Sequence, residues 1–354
     1  MNDFYRILGK MKNNKETRFA MATIIGVDGS AYRHPGAKML ISEDGRQYGT
    51  ISAGCLEEDL SYQAYDVIMN RQPKTLIYDL RSEDDLSWGQ GAGCNGSIKV
   101  YVEPYEWDYV PPFHSQSIWP LVDSKLNLGH KIGMAKIISD NYSNRTHVFY
   151  SEDGQFIGTT NKNMKEKLLP ELLSFIKSGK KIDLIQLSDF KENILFELYE
   201  PREQLYIFGA GPDVEPLARL ASDTDFSVTI IDPRSSRCNE FIFPTVDQFI
   251  LTHPESYLEN HEIPNKSYIL IMTHSFQRDS NILRKLIQSS PSYLGVLGPR
   301  RRTERLLLPD RLPDWIYSPI GLNIDAEGPE EISISIMAEL LKVRNKTHKV
   351  KESI

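Results

Sequence analysis

Short apolar runs alternate with stretches of helical spacing throughout the second half of the chain. The runs occupy residues 204–208, 227–231, 248–251, 268–272 and 293–297. Strands that alternate with helices form βαβ units around a parallel sheet. We therefore predict an α/β fold with a C-terminal Rossmann-like domain over residues 202–345, followed by a short tail over 346–354.

The first 200 residues contain an internal repeat. The matched segments are Met-Ala-Thr-Ile-Ile at 21–25 with Met-Ala-Lys-Ile-Ile at 134–138, Ser-Glu-Asp-Gly at 42–45 and again at 151–154, and a closing Glu-Pro at 103–104 and at 200–201. A helix-like stretch and an apolar strand follow the Ser-Glu-Asp-Gly turn in both halves. We predict two diverged copies of one α+β unit, over residues 1–108 and 109–201.

Segments that only the first copy carries are the better functional candidates, because shared turns are explained by chain reversal alone. The second copy lacks most of the loop at 28–36 and most of the loop at 81–96, and it replaces the Ser-Ala-Gly-Cys-Leu-Glu segment at 52–57 with ordinary polar sequence. All the unusual chemistry of the first half therefore belongs to the first copy.

Two cysteines lie in these first-copy segments. Gly54 and Cys55 follow a predicted strand and open a helix, where backbone amides lower a thiol pKa and bind anions. Cys94 lies in a glycine-rich loop. We interpret the two cysteines as facing one site, with Arg33 and His34 supplying positive charge or donors. Burial of both thiols as small hydrophobes is the structural alternative. A zinc site formed with His34 is a further alternative, although the ligands are scattered singly.

A Gly-Ala-Gly turn connects a strand to a helix at the start of the second half. Gly209 and Gly211 form the turn, and Asp232 ends the next strand, as in a dinucleotide-binding fingerprint. However, Pro212 has no N–H to offer a pyrophosphate, and Asp213 places a negative charge where a phosphate would lie. The pattern predicts Rossmann topology with weak NAD(P) binding.

Two further groups lie after later strands of this domain. His274 follows an apolar strand and Asp279 comes five residues later, at the carboxyl end where parallel sheets bind ligands. Arg300, Arg301 and Arg302 follow the next strand and a Gly-Pro turn, a pattern that favours an anion clamp. A structural histidine and a solvated basic helix end are the alternatives. An NAD(P)-dependent oxidoreductase with His274 as acid/base is the alternative function.

Composition narrows the function classes. The 354 residues carry a formal net charge of −7 without a long run of one sign, so we expect no binding to nucleic acid or membrane surfaces. Neither a signal peptide nor an apolar stretch of about 18 residues is present. Three cysteines are too few for a disulfide framework, and Cys238 has only a packing context. The expected location is the cytoplasm.

Motifs along nearly the whole chain resemble the XdhC/CoxI family, the accessory factors of xanthine dehydrogenase and related molybdenum hydroxylases. The matching segments are 29–30, 35–37, 49–57, 208–211, 231–234, 272–274 with Asp279, 297–302 and 319–322. They occur in the order of the family. Two segments depart from its pattern, Cys94-Asn-Gly where Cys-Gly-Gly is common, and Pro212-Asp213 after the glycine turn.

The resemblance implies a carrier rather than an enzyme. Such a protein binds molybdenum cofactor, shields it, helps to sulfurate it with a cysteine desulfurase as sulfur donor, and delivers it to a xanthine dehydrogenase-type hydroxylase. Cys55 and Cys94 would contact the molybdenum or handle its sulfur. The expected cofactor contacts are Arg33, Gly54, Cys55, Glu57, Cys94, Gly209, Gly211, Asp232, His274, Asp279, Arg300 and Arg301. A homodimer is the default assembly for such a protein.

Overall fold

The chain divides between Pro201 and Arg202 into two units. The computed structural model describes residues 3–52, 54, 56–81, 96–110, 117–141, 147–158 and 162–352. Each unit has its own hydrophobic core. No helix in these described ranges is long and apolar enough to cross a membrane.

The first sheet of the N-terminal unit is antiparallel and carries a helix on one face. Its elements are α1 (Asp3–Asn13), β1 (Phe19–Gly29), β2 (Lys38–Ser42), β3 (Gln47–Gly49), α2 (Glu57–Asn70), β4 (Lys74–Asp79) and β5 (Gly96–Tyr105). The strand order is β3-β2-β1-β5-β4. Leu60, Ala64, Val67 and Ile68 recur at helical spacing and are buried in one core cluster with the sheet. Helix α2 thus packs one apolar stripe against the strands.

The second sheet of this unit repeats the same topology. Its elements are α3 (Ile118–Asn127), β6 (Ile132–Ile138), β7 (His147–Ser151), β8 (Phe156–Gly158), α4 (Lys162–Ser178), β9 (Ile182–Ile185) and β10 (Asn193–Tyr199). The order is β8-β7-β6-β10-β9, which matches the first sheet strand by strand. The expected duplication of an α+β unit before the Rossmann-like domain is confirmed by this strand order. The boundary between the copies at 108–109 stays a prediction.

Strand register corrects one detail of the repeat. Glu103 lies opposite Met21 in the first sheet, whereas Glu197 lies opposite Met134 in the second. Since the two methionines occupy matching positions, Glu103 corresponds to Glu197 and not to Glu200. The two Glu-Pro pairs are therefore not equivalent. The prediction that each copy closes with a matching Glu-Pro was wrong.

Each of these two glutamates forms a buried ion pair with a lysine of the other copy. Glu197 on β10 pairs with Lys38 on β2, and Glu103 on β5 pairs with Lys136 on β6. His147 on β7, which holds the position of Lys38 in the second copy, lies 3.2 Å from Glu103 through Nε2. Burial lowers the pKa of Lys38, and Glu197 opposes that shift. Each charge therefore depends on a partner from the other copy.

Replacing Glu103 by Gln should lower the free energy of unfolding by about 3–5 kcal/mol, because it leaves the buried Lys136 ammonium without its carboxylate. Urea denaturation at pH 7 measures the change. The matched control is Asp189→Asn, which removes an exposed partner of Lys167 and should cost less than about 1 kcal/mol. An equally small loss for Glu103→Gln would contradict a structural role for the crossed pairs.

The C-terminal unit is a doubly wound parallel sheet. Its elements are β11 (Glu203–Phe208), α5 (Val214–Asp223), β12 (Phe226–Ile231), β13 (Gln248–Ile250), α6 (Pro254–Asn260), β14 (Tyr268–Ile271), α7 (Phe276–Leu286), β15 (Tyr293–Val296), α8 (Arg300–Leu307) and α9 (Gly328–Glu352). The order β13-β12-β11-β14-β15 confirms the expected Rossmann-like domain. Along β11, Leu205 and Ile207 pack in the cluster that includes α5 and α9, while Tyr206 and Phe208 pack in the one that includes α7 and α8.

Cys238 lies in the core of this unit, as expected from its sequence context. Its side chain is buried in the cluster that includes β11, β12 and α5, and its Sγ lies 3.7 Å from the carbonyl oxygen of Ile230. Burial raises the pKa of this thiol. A neutral, enclosed thiol of this kind has a packing role.

Candidate functional site

The loops that only the first copy carries begin and end at the same edge of the first sheet. Gly29, at the end of β1, lies opposite Gly96, at the start of β5, and Asp79, at the end of β4, lies opposite Ser97. A side chain at Gly96 would collide with the backbone of residues 28 and 30. The chain before residue 30 and the chain after residue 95 are therefore in direct contact.

An ion pair joins the ends of these two loops. The guanidinium of Arg81 donates to Asp28 over 3.0 Å and also to Asp79. Within the loop that follows Asp28, Arg33 is half-buried and His34 is exposed. The Gly36 N–H donates to the Ile24 carbonyl oxygen over 2.8 Å, so the loop returns onto β1. Arg33 thus lies in a loop that begins at this edge and returns to β1.

The start of α2 lies at this edge as well. The Tyr78 hydroxyl, near the end of β4, donates to Asp59 in the first turn of α2. Gly54 precedes that turn with a φ of 111°, a conformation that favours glycine. Cys55 and Cys94 themselves lie outside the described residues. The zinc site that would use them therefore stays a prediction. What the structure brings together is the chain on both sides of each cysteine.

Glu57 binds the loop that precedes it. Its Oε1 accepts from the Thr50 hydroxyl over 2.9 Å and from the Ser52 N–H over 2.8 Å, and its Oε2 accepts from the Ser52 hydroxyl and the Leu56 N–H. Burial by itself would raise the pKa of Glu57, but these hydrogen bonds outweigh it and lower the pKa. The carboxylate therefore faces its own loop, and it takes amides that an incoming anion would otherwise use.

Glu57→Gln should lose about 1 kcal/mol of stability at pH 7, because a neutral amide accepts more weakly from the same donors and the site is partly exposed. A carboxyl with a lowered folded-state pKa contributes stability above its unfolded pKa of about 4.3, and that contribution disappears as pH falls through the folded value. The difference between wild type and Glu57→Gln should therefore shrink towards pH 3. Urea unfolding at both pH values tests this, with Glu58→Gln at an exposed position as the control. A stability difference that does not change with pH would contradict the role of the ionised Glu57 carboxylate in holding its loop.

A hydrogen bond between Asp213 and His274 closes the glycine turn of the C-terminal unit. A side chain at Gly209 would collide with the Met272 carbonyl oxygen, and one at Gly211 would collide with the Asp213 carboxylate. Oδ2 of Asp213 lies 3.0 Å from Nε2 of His274. This pair spans the crevice between β11 and β14, the switch point where a parallel sheet of this order binds a nucleotide. A carboxylate thus occupies the place of the pyrophosphate.

Asp232 is also engaged internally. Oδ2 accepts from the Ala210 N–H over 2.9 Å and from the Arg234 guanidinium over 2.7 Å, and Oδ1 accepts from the Arg234 N–H and Nε over 2.9 Å each. Burial alone would raise the pKa of Asp232, but the bonds from Arg234 lower it. Four donors fill the roughly four acceptor positions of a carboxylate, so a ribose hydroxyl would have to displace Arg234.

NADH should therefore bind with a dissociation constant weaker than about 1 mM, which corresponds to roughly −4 kcal/mol. Replacing Asp213 by Ala removes the like charge from the turn and should tighten binding about fivefold, the equivalent of about 1 kcal/mol. Fluorescence titration of both proteins with NADH measures this. Micromolar saturation of the wild type would instead support the oxidoreductase alternative.

A pocket opens one strand further along the sheet. It has a volume of about 300 Å³ and is lined by His274 and Asp279 after β14 and by Leu297, Gly298 and Arg302 after β15. His274 has a φ of 57°, a left-handed conformation that non-glycine residues adopt mainly at constrained sites. The pocket thus includes three of the residues that the sequence singled out, His274, Asp279 and Arg302.

Two neighbouring arginines lie elsewhere. Arg300 and Arg301 are exposed, and the carboxylates near Arg300 are those of Glu304 and Asp314, at 3.4 and 3.6 Å. Arg302 faces the pocket and pairs with Asp279 over 2.6 Å. Among the described residues, no group of three or more His, Cys, Asp or Glu side chains could hold a metal.

The pairs Asp213–His274 and Asp279–Arg302 were missed in the sequence. Each joins residues that follow different strands, separated by 61 and 23 positions. The available signal was that each partner follows a predicted strand of the same parallel sheet, and the carboxyl ends of such strands share one edge.

Comparison with known proteins places these features in context. A family model described as the XdhC Rossmann domain matches residues 205–340, and one described as the XdhC and CoxI family matches residues 14–79. A Bacillus subtilis (strain 168) protein, named as a subunit of a probable xanthine dehydrogenase, is 37% identical over 350 residues, which cover 98% of this chain and 99% of that protein. The Escherichia coli (strain K12) "Molybdenum cofactor insertion chaperone PaoD" is 20% identical over 92% of this chain and 83% of its own.

A solved structure shares the fold throughout. The crystal structure of a protein described as a xanthine dehydrogenase from Bacillus halodurans superimposes with a TM-score of 0.80 and is 38% identical. The match covers 98% of this chain and 96% of that one. Similarity therefore extends over both units.

Proposed function

Because the chain belongs to the XdhC and CoxI family, we propose that it is an accessory protein that binds molybdenum cofactor, shields it and delivers it to a xanthine dehydrogenase-type molybdenum hydroxylase. The names of the two bacterial relatives, one a cofactor insertion chaperone and the other part of a probable xanthine dehydrogenase, support this proposal. In this role the cofactor is cargo, and the chain is a carrier and not an enzyme.

The observation that carries the proposal is the grouping of the first-copy loops at one edge of the first sheet. The second copy has the same strand order without these loops, so the fold does not require them. They contain Cys55, Cys94 and Arg33. A soft metal centre favours thiolate ligands, and a phosphate favours arginine, so these residue types suit the two ends of the cofactor.

Sulfuration is the finer part of the proposal. A thiol beside the molybdenum is suited to help exchange an oxo ligand for sulfur that a cysteine desulfurase supplies. The described residues around Gly54 support a constrained loop, since Glu57 binds both ends of the segment from Thr50 to Leu56.

The oxidoreductase alternative is less well supported by the geometry. Asp213 lies beside the glycine turn and is hydrogen-bonded to His274. Asp232 is saturated by Arg234 and an amide. Both features disfavour the pyrophosphate and the ribose of a nicotinamide dinucleotide.

Incubation with molybdenum cofactor, followed by gel filtration and measurement of molybdenum and pterin in the protein peak, tests the proposal. Wild-type protein should retain close to one equivalent, and Cys55→Ala/Cys94→Ala should retain much less, because soft-metal binding depends on the thiolates. Cys238→Ala is the matched control, since its thiol lies in the core, and it should retain cofactor. No retention by folded wild-type protein would overturn the proposal, and full retention by the double variant would overturn the role of the two cysteines.

A further inference from the structure

Helix α2 of the first copy has an apolar stripe on its outer face as well as on its inner one. The inner stripe is buried against the sheet. Tyr62, Tyr65 and Met69 lie on the opposite side, because residues three and seven positions apart return to one face of an α-helix. These side chains are 70%, 55% and 41% exposed. A contiguous exposed stripe on a helix that is already packed on its other face marks an interaction surface.

The second copy provides an internal control for this stripe. The buried residues of α4 repeat the spacing of those of α2, and aligning them matches Tyr62 with Pro170 and Met69 with Lys177. From Met164 to Ser178, the exposed positions of α4 are filled by lysine, glutamate, serine and one proline. The shared fold therefore does not require an apolar outer face, and the stripe belongs to the copy that carries the additional loops.

The size of the stripe favours a transient contact in which α2 enters a groove. A buried aromatic side chain covers roughly 150–250 Å², so the exposed parts of the three side chains amount to on the order of 300 Å². A stable interface buries about 800 Å² on each partner, which two such stripes packed face to face would not reach. Anchors at positions i, i+3 and i+7 are typical of a helix that binds in an apolar groove of another protein.

The charges beside the stripe indicate the character of that groove. The first turn of α2 contains three acidic residues, and its last turn contains no basic one. Just beyond the helix, Arg71 and Lys74 each pair with a carboxylate of the same chain. A second copy packed antiparallel would set its acidic turn against these neutralised residues and gain little. A partner with lysine or arginine at the rim of its groove complements the helix better.

The stripe begins close to the candidate site. Gly54 and Leu56, which flank Cys55 in the sequence, directly precede α2. Tyr62 lies five residues into the helix, about 8 Å along its axis. A protein bound along α2 therefore lies near the edge of the sheet at which the first-copy loops begin.

We propose that Tyr62, Tyr65 and Met69 dock into an apolar groove with a basic rim on the protein that receives the cargo. The identity of this recipient as the molybdenum hydroxylase rests on the proposed function. The docking surface itself rests on the exposed stripe, its acidic end and its absence from α4.

Biolayer interferometry with the purified, cofactor-free hydroxylase of the same organism tests the inference. The wild-type full chain should bind, and more weakly at high salt, because screening reduces the attraction between the acidic turn and a basic rim. Tyr65→Glu should weaken binding at least about tenfold, since it places a charge at the centre of the apolar contact. Glutamate is a good helix former, so the fold is retained. Ser174→Glu introduces the same charge at an exposed position of α4 and should bind like the wild type.

The outcomes separate this inference from the proposed function. Equal affinity of the wild type and Tyr65→Glu overturns the docking surface and leaves the delivery function intact. A wild type that retains molybdenum cofactor but binds no hydroxylase loses the hydroxylase as recipient, and this inference with it. Analytical ultracentrifugation of the chain alone examines the other occupant. A dimer that Tyr65→Glu dissociates would show that a second copy covers the stripe, and would overturn the inference. Tyr65→Glu should retain cofactor like the wild type, and loss of retention would contradict a role confined to docking.

Discussion

The crossed ion pairs between the two copies constrain the whole N-terminal unit. Lys38 and Lys136 are buried, and each has its carboxylate on a strand of the other copy. A single buried charge without its partner costs several kcal/mol, so these pairs fix how the two copies pack together. The second copy therefore acts as a structural partner of the first. With its sheet held in this way, the first copy can carry long loops that the second copy lacks.

The sequence predicted the fold well where the signal was local. Each strand of the C-terminal sheet is a short apolar run, and the alternation with helices gives its parallel order. The repeat in the first half was visible through two turns of identical sequence. Register was not visible, because it depends on which side chains face each other across strands. That is why Glu103 was matched to Glu200, although cross-strand pairing aligns it with Glu197.

The candidate site could be predicted only as far as positions in the chain allow. The rule that ligands bind after parallel strands indicated His274 and Asp279, and both line the pocket. Choosing among three consecutive arginines requires the rotation of the helix, which is roughly 100° per residue. That rotation places Arg302 in the pocket and leaves Arg300 and Arg301 in solvent. The saturation of Asp232 by Arg234 could not be predicted either, because a sequence does not show which donors are hydrogen-bonded to a carboxylate.

Both units use internal carboxylates where an anionic ligand would otherwise bind. Glu57 takes the hydroxyls and amides of its own loop, and Asp213 lies over the glycine turn against His274. Such groups compete with a phosphate and weaken its binding. For an enzyme with a resident cofactor this would be a disadvantage, but a carrier must also release what it binds. Under the proposed function, affinity then comes from thiolate contact with the metal. Equivalent groups of an acceptor protein can replace this contact, which favours transfer over permanent retention.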